Sequence, residues 1–299
     1  METFYEHVVA RRSSLSPRYL VTSSPILENT MQWENLTSLD FEKYVKQCGG
    51  VGIIPVGALE AHCSHLPLGT DTFNAHATVC AAAEREAAIV FPAYPSGIDV
   101  DTAHLPGGMA LQLDLVFALL ENICDEMARN GLKKIILYTG HGGNRYYLPQ
   151  FVQMLPAKRK PYVVYYADVN LFPNADEVLD ADEYGHAGEA ETSIMLHLAP
   201  ELVKMEQMPS KPFTNLKRNA KLAEVGAYSQ VDWYAQYPHM YVGDASKSTA
   251  EKGKLIFDYA VEALVKLIRA VKEDHITPAL VREFNERIDQ PSSPDFWTS

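Results

Sequence analysis

The sequence predicts an α/β protein with a mostly parallel central sheet, and three observations carry that prediction. Short apolar runs alternate with longer segments of helical period along most of the chain. The run that opens at Val51 is apolar on both faces, as expected of a central parallel strand covered by helices. Residue types that bind metals follow directly on two strand ends, where open α/β sheets place their sites.

Taken in order, residues 1 to about 30 carry Arg11, Arg12 and a Ser/Pro-rich run through Pro25, which reads as an extended arm of the kind that often packs on a neighbouring subunit. Ser38-Leu39-Asp40-Phe41-Glu42 starts a helix, with Ser38 as its cap, that ends near Gly49-Gly50. After the Val51 strand, Thr72 to Ala88 reads as an Ala-rich helix, and Ala87 to Tyr94 as a strand closed by Pro95 or Ser96-Gly97. Leu111 to Asn130 is a long amphipathic helix ending at Gly131, followed by the strand Ile135 to Tyr138. Tyr162 to Ala167 is a further strand, and Glu189 to Leu198 a helix that stops before Pro200. This alternation implies βαβ units with right-handed crossovers.

From Pro209 to Tyr241 the pattern loosens into a polar, aromatic loop, in which Trp233, Tyr234, Tyr237 and Tyr241 either cover an active-site mouth or pack on one another. Thr249 to Lys272 is an amphipathic helix, and the tail from Asp289 reads as loosely held. There is no internal repeat or low-complexity linker, so residues 1–299 read as one domain.

A chain of 299 residues with 47% hydrophobic content can bury a full core. Its net charge of -12 argues against nucleic acid as a partner, because such proteins cluster Lys and Arg to displace counterions; a small-molecule substrate fits better. The N-terminus lacks the basic start and apolar run of a signal peptide, and no apolar stretch approaches the roughly 20 residues of a membrane helix. The expectation is a cytoplasmic protein without a membrane partner. Cys48, Cys63, Cys80 and Cys124 are scattered, which indicates neither a disulfide framework nor a thiolate zinc site; Cys63 reads as a small buried thiol.

The chemistry concentrates in three stretches. Past the first strand stand Glu60, His62, His65 and Asp71, four potential metal ligands, with Glu60 and His62 two apart so that in extended chain both point the same way. Mixed oxygen and nitrogen donors suit zinc, manganese or iron better than calcium or magnesium. The second strand end carries Thr139-Gly140-His141-Gly142-Gly143-Asn144, whose glycines let the backbone come close to a ligand and whose His141 is a candidate partner for Glu60 and Asp71. In the third, His186-Ala187-Gly188-Glu189-Ala190-Glu191, the two glutamates cannot share a helical face, and His186 sits where a loop imidazole could move a proton.

These stretches resemble the creatininase (creatinine amidohydrolase) family. The resemblance runs in order through Gly57-Ala58-Leu59-Glu60-Ala61-His62, His65-Leu66-Pro67-Leu68-Gly69-Thr70-Asp71, Gly140-His141-Gly142-Gly143-Asn144, His186 to Ser193, and Gly243-Asp244-Ala245-Ser246 through Gly253. It implies a three-layer α/β/α sandwich, a homo-oligomer that is usually a hexamer, and a hydrolytic site for one or two divalent ions. Position by position, Glu60, Asp71 and His141 would hold one ion, and His62 with a bridging Asp71 the second. Gly143 stands where creatininase has a glutamate, and Glu191 is the candidate to replace that ligand. Gly108 stands where many relatives carry a hydroxyl residue, and the region before His186 offers Asp182, Glu183 and Tyr184 but no tryptophan to sandwich a flat ring as creatininase does.

The function expected is hydrolysis of an amide-like C–N bond in a small polar substrate, cyclic or open, by metal-bound hydroxide, with His186 protonating the leaving group. The alternative within enzymes is a hydrolase that opens an inosose-type keto-sugar or a lactone. The alternative outside them is a non-catalytic metal-binding scaffold.

Overall fold

The computed structural model describes residues 31–167, 172–294 and 297, so the arm expected at 1 to about 30 lies outside the described residues. The strands are β1 (Val51–Val56), β2 (Ile89–Val90), β3 (Lys134–Thr139) and β4 (Val163–Ala167). The helices are α1 (Ser38–Gln47), α2 (Thr70–Arg85), α3 (Leu113–Arg129), α4 (Leu148–Met154), α5 (Ala175–Val178), α6 (Glu189–Leu198), α7 (Ala220–Glu224), α8 (Asp232–Gln236), α9 (Ala250–Glu273) and α10 (Ile276–Asp289).

The four strands form one parallel sheet in the order β2-β1-β3-β4. β1 pairs with β3 from Val51↔Lys134 to Val56↔Thr139, so the two strands end level and their following loops emerge side by side. All of β1 is buried, because helices cover both faces. Alternation along the strands divides the core. Ile54, Val56, Ile135 and Leu137 pack with Val116, Leu120 and Met127 of α3 and Phe151 of α4. Val51, Ile53, Ile136 and Tyr138 pack instead with Ala75 and Val79 of α2 and Leu264 and Ile268 of α9. This is the three-layer α/β/α arrangement.

Several boundaries depart from the sequence reading. Thr37, not Ser38, caps α1 by accepting from Asp40 N at 3.2 Å. β2 is only two residues long, since Pro92 follows Phe91 and can donate nothing to a ladder. The aromatic stretch expected to be loop contains α7 and α8. The sequence reading assigned nothing to the segment that forms α10, a helix that buries no residue. It is nevertheless anchored: Asp274 Oδ1 accepts from Ile276 N and Thr277 N, and its Oδ2 accepts from the Tyr165 hydroxyl of β4. All four cysteines are free, and Cys63 is half-buried with φ of 54°, not the buried thiol expected. No helix among the described residues is long and apolar enough to cross a membrane.

Candidate metal centre

The site forms where the level ends of β1 and β3 meet the first turn of α2. A Cβ at Gly57 would run into the backbone of Thr72, and one at Gly140 into the Asp71 carbonyl. These two glycines therefore admit the helix start across both strand ends, and the close approach expected at Gly140 is to α2 itself rather than to a ligand. Thr72 Oγ1 donates to Ala58 O at 2.9 Å and Asn144 Nδ2 to Val56 O at 3.0 Å, which ties the loops to the helix and strand. Asp71 is thus presented from a helix, one residue inside α2, and not from the preceding turn.

Glu60, Asp71 and His141 converge, as do His62, Asp71 and Glu191; each set brings its ligand atoms within 4.8 Å of one another, and Asp71 belongs to both. His141 Nδ1 lies 3.0 Å from Glu60 Oε1 and 2.9 Å from Asp71 Oδ2. His62 Nε2 lies 3.1 Å from Asp71 Oδ1, 3.4 Å from Glu191 Oε2 and 3.6 Å from Glu60 Oε1. A third set joins Glu60 and His62 to His186. The His186 ring stacks on His62 with centroids 4.1 Å apart, its Nδ1 3.6 Å from Glu60 Oε1.

The opposite ring nitrogens are all engaged by main chain. His62 Nδ1 meets Glu60 O at 3.2 Å, His141 Nε2 meets Ile98 O at 3.2 Å, and His186 Nε2 meets Ala61 O at 2.7 Å. A carbonyl only accepts, so each of these nitrogens carries the proton and each ring turns its other nitrogen to the carboxylates.

The charges respond to this crowding. Burial raises the Glu60 carboxyl to about 8 and Glu191 to about 6. Burial would lower His62, but Asp71 and Glu191 carry it up to about 10, and Glu60 and Asp71 likewise hold His141 well above its ordinary value. Asp71 is held below the usual carboxylate range by His62 and His141 in spite of its burial. The carboxylates thus call for positive charge beside them, which protons or a metal cation can supply.

His65 does not join this cluster. Its Nε2 pairs with Thr192 Oγ1 at 2.9 Å and its ring meets Tyr241 edge-on, while burial and the nearby His62 push its pKa down to about 4. The turn between His62 and Asp71 swings it away from the strand ends. Glu189 and Glu191, two apart on α6, do face apart. Glu191 Oε2 accepts from Ala187 N at 2.6 Å beside His62, whereas the fully buried Glu189 pairs with Lys252 and accepts from Asp180 N and Ala181 N. A Cβ at Gly143 would run into the His141 imidazole, so a glutamate does not fit there while that ring keeps its place.

A cavity of about 260 Å³ opens over the cluster, lined by Glu60, His141, His186 and Glu191 and, beyond them, by Asp99, Asp101, Arg145, Tyr146 and Trp233. Trp233 meets His186 edge-on, with centroids 6.1 Å apart. Sequence reasoning singled out Trp233 but missed Asp99, Asp101 and Arg145. Two acidic residues just past β2, a neighbour of β1 in the sheet, were the available signal, since that loop opens on the same edge.

A family model described as creatinine amidohydrolase matches residues 34–268. Among curated proteins, the chain is 30% identical over 235 residues to a mycofactocin precursor peptide peptidase of Mycolicibacterium smegmatis, covering 74% of this chain and 85% of that one. It is 25% identical over 257 residues to a creatinine amidohydrolase of Pseudomonas putida, with 78% and 94% covered. It is 25% identical over 269 residues to a 3-dehydro-scyllo-inosose hydrolase of Thermotoga maritima, with 81% and 83% covered. Among solved structures, a creatinine amidohydrolase superposes with a TM-score of 0.68 at 25% identity, over 82% of this chain and 99% of that chain. Creatininases described as Zn-Zn type and as Mn form share the fold at TM-scores of 0.68 and 0.65, with 24% and 23% identity and 82% of this chain and 100% of each covered.

Proposed function

The chain belongs to the creatininase family of metal-dependent amidohydrolases, and from that premise we propose that it hydrolyses an amide-like C–N bond in a small polar substrate, using one or two divalent ions. The observation that carries the reading is the orientation of three imidazoles. His62, His141 and His186 each commit one N–H to a backbone carbonyl and turn the other nitrogen to shared carboxylates.

The residues fit a metal. Asp71 Oδ2 is buried and accepts no hydrogen bond of suitable geometry, although His141 Nδ1 is 2.9 Å away. An oxygen so placed needs a cation beside it, which the His141 imidazolium or, once that ring gives up its proton, a metal ion would be. The donor set mixes imidazole and carboxylate without thiolate, as open catalytic sites for zinc, manganese or iron do. Glu60, Asp71 and His141 would hold one ion, and His62, Asp71 and Glu191 the second. Bound there, a divalent ion lowers the pKa of water towards neutrality and polarises the carbonyl under attack.

The chain's own residues supply the rest. Burial and the neighbouring His62 push His186 down to about 3, so its ring is neutral near pH 7 and must take a proton before it can give one. Its Nδ1 accepts the proton of the attacking water and returns it to the leaving nitrogen, while the bond to Ala61 O holds the ring in place. This refines the expectation that His186 acts as an acid alone. Trp233 offers an apolar ring face beside His186, against which a flat substrate group can rest.

A second reading, opening of a keto-sugar ring, draws support from the polar cavity wall of Asp99, Asp101 and Arg145 and from the inosose hydrolase relative. By family resemblance the proposal extends to a single-domain subunit in a homo-oligomer, which light scattering of the purified protein tests. Elemental analysis and assays against cyclic amides, short peptides and inosose-type ketones test the chemistry. His141→Ala should lose bound metal and hydrolysis together; unchanged metal content in that variant refutes the assignment.

A further inference from the structure

The cavity wall opposite α6 contains a carboxylate that the metal-centre reading does not use. Asp99 is 3% exposed, and its Oδ2 accepts from the Thr102 hydroxyl. Its Oδ1 is buried without a hydrogen-bond partner. An acceptor left in that condition costs about 1–3 kcal/mol in a folded chain, which a ligand's donor would recover. Asp99 belongs to none of the three candidate ligand sets, although it lines the same cavity as Glu60 and His141.

Its surroundings narrow the kind of donor. Asp101 lines the same wall, and no described lysine or arginine ion-pairs with either carboxylate. Of the cationic groups that line the cavity, Arg145 spends its Nε on Gly142 O at 2.8 Å, and His141 turns its Nδ1 to Glu60 and Asp71 and its Nε2 to Ile98 O. Gly108 lies against the pair without a side chain: a Cβ there would stand 3.1 Å from Thr102 Oγ1 and 3.4 Å from Asp99 Oδ2, so a larger residue at this position would crowd the carboxylate. Two carboxylates on one wall, one with an idle oxygen, favour a cationic N–H group over a neutral one.

We propose that Asp99 is a specificity-determining residue whose idle oxygen, backed by Asp101, receives a positively charged N–H group of the substrate, of the ammonium, amidinium or guanidinium class. The inference rests on the cavity being the substrate site, as proposed above. It does not depend on which bond is cleaved.

The test is binding of methylguanidinium and of its neutral isostere methylurea to the manganese-loaded full chain, followed by ligand-observed NMR and calorimetry. Wild type should prefer the cation by about tenfold, the ratio expected of one charge-assisted hydrogen bond. In Asp99→Asn, which keeps the shape, and in Asp99→Ser, which keeps an acceptor, the preference should fall below twofold with manganese content unchanged. General damage to the cavity would weaken both probes alike and leave the ratio standing. A tenfold preference that survives both variants overturns the proposal, as does a loss of bound manganese, which would make Asp99 a metal ligand. A protein that shows the Asp99-dependent preference yet hydrolyses no amide refutes the proposed reaction and leaves this inference intact.

Discussion

Gly253→Ala tests how the packing of α9 on α6 supports the site. Gly253 lies on α9 against the backbone of α6, where an added Cβ would stand 2.7 Å from Ile194 N and closer still to the Ser193 carbonyl. Real Cβ atoms essentially never come within 3.0 Å of such atoms, and both neighbours are main chain, so the helices must part, by about 1 Å in a close-packed interior. In an unconstrained helix the substitution would gain about 1 kcal/mol. Overpacking costs about 1–3 kcal/mol and here meets backbone, so a net loss of about 2 kcal/mol is expected, or a melting point lower by about 3 °C for a chain of this size. Ser193 is two residues from Glu191, whose Oε2 sits 3.4 Å from His62 Nε2. A displacement of about 1 Å there should weaken manganese binding by at least about tenfold. Urea unfolding of the metal-free chain and calorimetric titration with manganese read the two effects separately. A variant as stable as wild type, with the same affinity, would refute the claim that these helices meet backbone to backbone.

Other expectations follow from the same reasoning. Metal binding must displace protons from His62, raised to about 10, and from His141, so affinity should rise with pH between 6 and 8 by about tenfold per unit for each proton released; titrations in buffers of different ionisation enthalpy count those protons. Lys252→Met leaves the buried Glu189 carboxylate without its cation and should cost about 3–5 kcal/mol, of which adding Glu189→Gln should recover part; chemical denaturation of the single and double variants measures both. Asp274 is held below the usual carboxylate range by its bonds to Thr277, Tyr165 and Ile276. Its contribution is therefore full above the unfolded value of about 4 and is lost as pH falls through the lower folded value. Hydrogen exchange across α10 should show that helix opening first in acid, and Asp274→Ala should produce the same opening at pH 7.

Much of this was legible because strand ends are legible. The level finish of β1 and β3 follows from two apolar runs of similar length, and ligand-type residues just past such ends are forced together by the sheet, which brings Glu60, His62, Asp71 and His141 to one place. Glu191 separated from Glu189 by helical geometry alone. His65 misled because its spacing resembles that of a ligand, while the turn that delivers Asp71 rotates it onto Thr192, a contact 127 positions away in sequence. Asp99 was invisible for a related reason: its meaning depends on the pairing of β2 with β1 and on a missing donor, neither of which leaves a trace in residue order. The Lys252 partner of Glu189 was hidden likewise, since it comes from a helix more than sixty positions on.

The three imidazoles are steered by the oxygens of Glu60, Ala61 and Ile98, all of them main-chain atoms. No exchange of side chain can delete a peptide oxygen. Positions 61 and 98 can therefore drift in evolution, or be varied in a library, while the rings keep their aim. What limits positions 61 and 98 is packing, since Ala61 is buried and Ile98 lies against the core, and not the chemistry of the ligands.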